Sequence, residues 1–313
     1  MNRNKPELLV TAGSLEEIQM YVKAGADAVN IGENNFGVRM PGNFTTLDIK
    51  EAIETAHRLH AKVYVSINNL YHNDDLEALS VYLQQLSEWK VDAVVFGDPA
   101  IIMLMKELNI QIPLHWNAEM LSTNYATATY WERKGANRVV LARELNLEEI
   151  HDTKRNLQSM EVQVQVHGMT NIYHSRRELL QNYAAHQGKS SVKQDDFSME
   201  KEMYLVEEER EGLQFPIFED DNGTHVMSAE DICLIEVLDE LLEVDLDSLK
   251  IEGIMKSAAY NEVVIACYRE AIDQYYANPE EYECNPAWLE RIKKVQDEHR
   301  ELTFGFLFKE QVY

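Results

Sequence analysis

The sequence is poor in cysteine, poor in cations and free of long apolar runs, and each shortage excludes something. Cys233, Cys267 and Cys284 are the only three cysteines in 313 residues and stand far apart with no C-x-x-C pair. That excludes a disulfide scaffold and a self-contained thiolate zinc site. No stretch of about 18 apolar residues occurs, so no membrane span is expected. The opening Met1-Asn2-Arg3-Asn4-Lys5-Pro6 leads into a strand-like run without an apolar signal-peptide core, and a cytoplasmic location is expected. Against 54 Asp and Glu there are only 29 Lys and Arg, a formal net charge of −25. Such a surface repels phosphate backbones over a Debye length of about 8–10 Å. A broad RNA-binding face is therefore not expected, and any nucleic acid must be drawn by a local basic patch or by a partner.

What is present is a chain with 45% apolar residues, ample for a large core. Short β-rich runs at 8–11, 28–31, 62–67, 93–97, 112–116, 138–142, 162–167 and 248–252 alternate with amphipathic stretches at 15–24, 47–59, 75–89 and 125–134. Parallel strands need a crossover, and a helix supplies it, so eight such units predict an α/β fold, a TIM-type (β/α)8 barrel. An open doubly wound sheet is the alternative. A weak repeat of helix end, tight turn, buried strand and polar strand end recurs at 23–32, 90–97, 134–142 and 243–253, with Gly25 and Gly135 placed to close helices in the left-handed conformation.

One interval breaks the rhythm. Between His167 and Ser248 lie 80 residues, against roughly 30 for an ordinary βαβ unit. Residues 188–196 read as a polar, mobile loop. A small antiparallel meander is expected at 203–208, 213–218 and 225–227, with Asp221-Asn222-Gly223 as its turn. Ser228 then reads as the N-cap of a helix, with Asp231 in a weak capping box. The resulting division is barrel strands 1–7 in residues 1–185, the insertion in 186–227, the last barrel unit in 228–278, and a C-terminal helix and tail in 279–313. The aromatic end at 302–308 is expected to pack back on the barrel, and the insertion to form a lid or partner surface.

Barrel chemistry sits where strands end. Those ends carry Asn30, Glu33, Asn68, Asn69, Asp98, Asn117, Glu119, Arg143, Glu144, His167, Lys250 and Glu252. Lys250 and Glu252 lie two apart and share one face; inward, they would bind an acid or polarise a carbonyl, or simply close the barrel as an ion pair. Arg143 is a candidate anion ligand, and Glu144 either joins it or caps the next helix. His167 is the candidate general base, or a structural hydrogen bonder. His167 with His174 lacks a third metal donor at ligand spacing, and Ser175 with His167 lacks a G-x-S-x-G elbow. His72-Asn-Asp-Asp75 reads as a helix N-cap cluster.

Several strings together resemble peptidase family U32, the collagenase-like peptidases: Pro6-Glu-Leu-Leu-Val-Thr-Ala-Gly-Ser14, Gly25-Ala-Asp-Ala-Val29, Val139-Val-Leu-Ala-Arg-Glu-Leu145, Lys250-Ile-Glu-Gly253 with Met255-Lys256-Ser257, and His299-Arg300 with Thr303-Phe-Gly-Phe306. The resemblance runs nearly end to end and implies a TIM-type barrel. The family signature reads His-Gly-x-x-Cys, six residues, then Cys-Leu; here Asn171 and Glu178 replace those cysteines, a third is missing between residues 179 and 232, and Cys233 alone remains. In relatives the four thiolates are thought to hold an iron–sulfur cluster. The resemblance thus implies that this chain binds no cluster and no other metal by itself. It is similar to the short one of two paralogues acting together in tRNA wobble-uridine 5-hydroxylation, with cluster and basic RNA surface in a cysteine-complete partner. Under that reading His167, Arg143, Glu144, Lys250 and Glu252 are the inherited site residues. A peptidase, as the family name says, and a non-enzymatic scaffold for the paralogue are the alternatives.

Overall fold

A computed structural model of the protein describes residues 5–117, 123–157, 159–189, 193–210 and 212–310. Glu119 and part of the 188–196 loop lie outside them. Seven strands run in chain order: β1 (Glu7–Thr11), β2 (Ala28–Ile31), β3 (Lys62–Ile67), β4 (Ala93–Phe96), β5 (Leu114–Asn117), β6 (Arg138–Val140) and β7 (Glu161–Gly168). Four more, β8 (Asn171–Ser175), β9 (Met203–Val206), β10 (Gln214–Asp220) and β11 (Gly223–Met227), form a separate antiparallel sheet. After β12 (Asp231–Cys233) comes β13 (Ser248–Ile251), and β14 (Leu302–Thr303) lies near the C-terminus. β13 pairs in parallel with both β1 and β7, setting Lys250 between Leu9 and Gln165, and so closes an eight-stranded parallel barrel. The barrel and its antiparallel insertion are those the alternation of runs predicts.

Strand alternation splits the barrel residues between two environments, as expected of a parallel sheet buried on both faces. Val10, Val29, Val63, Val65, Val94, Val139, Val162, Val164 and Leu249 face outward into one large core under the helices. Leu9, Ala28, Tyr64, Ala93 and Val95 form a second, small cluster inside the bore. The helices are fixed locally. Ser14 Oγ accepts from the Glu17 amide at 3.2 Å to start helix Leu15–Ala24, and Gly25 at φ 118° ends it. A Cβ on Gly25 would lie 2.6 Å from the Arg269 side chain, so the turn needs glycine for space as well as conformation.

The insertion differs from its sequence reading in two ways. Its sheet has the order β8-β11-β10-β9 and takes β8 from before residue 186. The hairpin of β10 and β11 turns at Asp221-Asn222 as expected, with Gly223 at φ 107°. Ser228, however, caps no helix. Its Oγ donates to Glu230 O at 2.7 Å and accepts from the Thr170 amide at 3.0 Å, and Asp231–Cys233 is a strand paired with β7 and β14. The cause is tertiary: the buried Asp231 carboxylate is held by Lys256 at 2.6 Å and Arg300 at 2.8 Å, contacts that outweigh a local helix start. The tail does pack back, but through Leu307, whose carbonyl accepts from the Leu147 amide at 2.9 Å. Phe304, Phe306 and Phe308 stay exposed. No helix among the described residues is long and apolar enough to cross a membrane.

Candidate functional site at the barrel mouth

The bore carries two polar layers. At its lower end Arg138 Nη1 meets Glu7 at 2.6 Å and Nε donates to Glu161 at 2.8 Å. Tyr64 Oη donates to Glu7 at 2.5 Å and Ser248 Oγ at 3.2 Å. Burial works to raise the Glu7 pKa, but the charge and hydrogen bonds of Arg138, with that of Tyr64, hold it below the ordinary carboxylate value. His115, edge-on to Tyr64, is kept neutral by burial and by the Arg138 charge. Glu7, Tyr64, Arg138 and Ser248 consume one another's charge and hydrogen bonds and plug the barrel.

At the upper end the two-residue spacing of Lys250 and Glu252 delivers the inward pair: Nζ lies 3.0 Å from Oε2, both side chains nearly buried. Glu252 Oε1 also accepts from Thr11 Oγ1 at 2.7 Å and from the Ile254 amide at 3.2 Å, while Thr11 Oγ1 accepts from the Gly253 amide at 2.7 Å. Ser66 donates to Asn30 at 3.0 Å and Gln165 to Met169 O at 2.9 Å. Thr11, Asn30, Arg143, Gln165, Lys250 and Glu252 surround a cavity of about 30 Å³, which is water-sized. Val38, Met40, Met169, Met227 and Ile254 also line it. Gly168, at φ 100°, would carry a Cβ only 2.1 Å from Glu252 O, so the end of β7 lies against the end of β13 in a way only glycine permits.

The other candidates separate. Arg143 reaches the mouth, donating from Nη2 to Asn171 O at 2.5 Å, and so ties it to the insertion. On its far side Arg143, with Glu144, Ile172, Leu205, Phe215 and Phe306, lines a mainly apolar cleft of about 590 Å³. Glu144 does not cap the following helix; Asn146 does, with Glu149 completing the capping box.

His167 is not in the bore, which corrects its reading as a general base. Gln165 pairs with Lys250 and His167 with the very next residue, Ile251. The extra residue on β7 is a bulge that turns His167 outward. There it is fully buried, with Nε2 2.8 Å from Tyr260 Oη, and burial pulls its pKa down to about 3. Ser175 Oγ accepts from the Arg177 amide instead of pairing with His167.

The residues at the family's cysteine positions do not fit an iron–sulfur cluster. Asn171 opens β8 and Glu178 lies three residues past its end at Ser175, so the five-residue strand, about 13 Å long, runs between them. Cys233 pairs with His167 across β12 and β7, and burial pushes its thiol up to about 11, so it is protonated at neutral pH. One thiol, an amide and a carboxylate cannot replace four thiolates. Among the described residues no group of three or more His, Cys, Asp or Glu is placed to hold a metal ion.

The sequence reading missed the Asp231–Lys256–Arg300 cluster, although Lys256 and Arg300 lie in strings that carry the family resemblance. It also missed the link from Asn69 Nδ2 to Asn222 Oδ1, 2.7 Å, which pins the insertion's turn to the rim.

The profile of peptidase family U32 matches residues 13–312. "tRNA hydroxylation protein P2" of Bacillus subtilis (strain 168) is 46% identical over 310 residues, covering 99% of both chains. "tRNA hydroxylation protein P1" of the same strain is 32% identical over 302 residues, covering 96% of this chain and 71% of that one. Among solved structures, the U32 peptidase Mk0906 has a TM-score of 0.51 at 17% identity, covering 79% of this chain and 92% of that one, a likeness of fold.

Proposed function

The chain belongs to peptidase family U32, and on that premise we propose that it is the cluster-lacking subunit of a complex that hydroxylates tRNA, at C5 of the wobble uridine. The observation that carries this reading is the end-to-end identity with a protein named for tRNA hydroxylation. One bacterial strain holds both a relative of this chain's length and a longer paralogue. A longer, cysteine-complete paralogue is therefore the expected partner, holding the iron–sulfur cluster and much of the tRNA. The cluster supplies the redox chemistry there. This chain's residues bind and orient: Arg143, Lys250 and Glu252 present two cations and a carboxylate around the mouth, which suits a small polar or acidic group.

Deleting the gene tests the reading. Mass spectrometry of tRNA nucleosides should show 5-hydroxyuridine derivatives lost and restored by the wild-type gene; an unchanged profile would end the proposal. The peptidase alternative draws no support from the site, because Ser175 and His167 are not paired and His167 is not basic at neutral pH. The scaffold alternative keeps the paralogue as partner but expects mouth substitutions to leave tRNA hydroxylation intact.

A further inference from the structure

The acidic charge of this chain is unevenly distributed. From Val162 to Gln194 there is a single acidic residue, Glu178, whereas 54 in 313 would place about six in 33 residues. The same stretch carries Arg176, Arg177, Lys189 and Lys193. All four are exposed, and none forms an ion pair among the described residues. Tyr173 and Tyr183 are interleaved with them, 49% and 64% exposed. Exposed cations and aromatic faces together are what single-stranded nucleic acid is held by.

The place of this stretch in the fold matters as much as its composition. Arg176 Nη1 donates to Leu70 O at 3.1 Å and lies 3.1 Å from His72 Nε2, both in the loop after β3 at the strand-end face. Arg176 and His174 line a cavity of about 160 Å³ with Trp116, and that cavity shares Arg39, Asn68 and Asn117 with the bore. Helix Leu179–His186 separates Arg177 from Lys189. Its eight residues span about 12 Å, so the two cations address different phosphates. The helix is held on the insertion sheet, its Leu180 and Gln181 amides donating to Glu219.

We propose that the exposed side chains of Arg176, Arg177, Lys189, Lys193, Tyr173 and Tyr183 are this chain's own contacts with the tRNA, gripping the phosphate backbone of a looped segment beside the barrel mouth. The inference rests on the tRNA reading and extends it: the partner does not carry the RNA alone. Phosphodiester rather than an acidic protein surface is favoured because the aromatic faces add stacking to charge.

The test is tRNA binding by the chain co-purified with its long paralogue, comparing wild type with Arg177→Glu/Lys189→Glu. The control is Lys293→Glu/Lys294→Glu, an equally exposed lysine pair on helix Pro286–Val295. The first pair should weaken binding about tenfold or more and lower the slope of log affinity against log salt by about two, with thermal midpoint and paralogue retention unchanged. The control should leave binding as it was. Equal affinity and slope in all three proteins would overturn the inference, as would loss of the paralogue from Arg177→Glu/Lys189→Glu, which would mark a protein interface. Both failures leave the tRNA reading standing, since that is judged by nucleosides in the deletion strain.

Discussion

The two ends of the bore are built by the same strands and the same alternation, yet their polar groups behave differently. Below, Glu7, Tyr64, Arg138, Gln163 and Ser248 bond to one another, and the layer is a plug. Above, Lys250 and Glu252 pair beside a small cavity whose wall also holds Arg143 and several amides. A buried ion pair is therefore no mark of function by itself; the mouth is distinguished by space beside the pair and by the insertion that hydrogen bonds hold against its rim. The lower pair should govern stability and the upper pair activity.

The largest expected effect breaks the lower layer. Glu7→Ala leaves buried Arg138 with the half-exposed Glu161 as its remaining carboxylate, strips the acceptor from Tyr64 and Ser248, and should cost about 3–5 kcal/mol in denaturant unfolding. Glu7→Met/Arg138→Met removes both charges and should recover most of that loss. If the double variant is as unstable as the single, the plug is more than a neutralised pair. Next comes the mouth. Lys250→Met should lower hydroxylated uridine in tRNA by roughly 10²-fold, while costing only about 1–2 kcal/mol of stability, because Glu252 keeps its bonds to Thr11 and Ile254. A large stability loss with normal hydroxylation would reverse the assignment of the two ends.

The smallest effect at neutral pH concerns His167, which belongs to neither layer. Folded, it stays neutral down to about pH 3, while an unfolded histidine takes up a proton near 6.5. Its contribution is complete above about pH 6.5 and declines as the pH falls toward 3. His167→Phe should therefore flatten the acid-side fall in stability by up to one proton, about 1.4 kcal/mol per pH unit, with tRNA hydroxylation retained. Loss of hydroxylation in a folded His167→Phe protein would return His167 to the site.

Much of this was legible in the sequence where the cause is local. Eight strands follow from apolar runs, and the Lys250–Glu252 pair follows from two-residue spacing. What escaped depends on distant partners. Nothing local announces the bulge that turns His167 outward, since it arises from the register of β7 against β13. Ser228 has the look of a helix cap, yet Arg300 claims Asp231 from 69 residues away. β8 is short, polar and half exposed, so no periodicity marks it; pairing with β11 makes it a strand.

We propose that this chain carries a barrel mouth and holds no iron–sulfur cluster by itself. Iron and acid-labile sulfide in the chain purified without oxygen measure it directly. A colourless protein is expected when the chain is purified alone, with iron and sulfide appearing only when the long paralogue is present. Stoichiometric iron and sulfide in the isolated chain would contradict it.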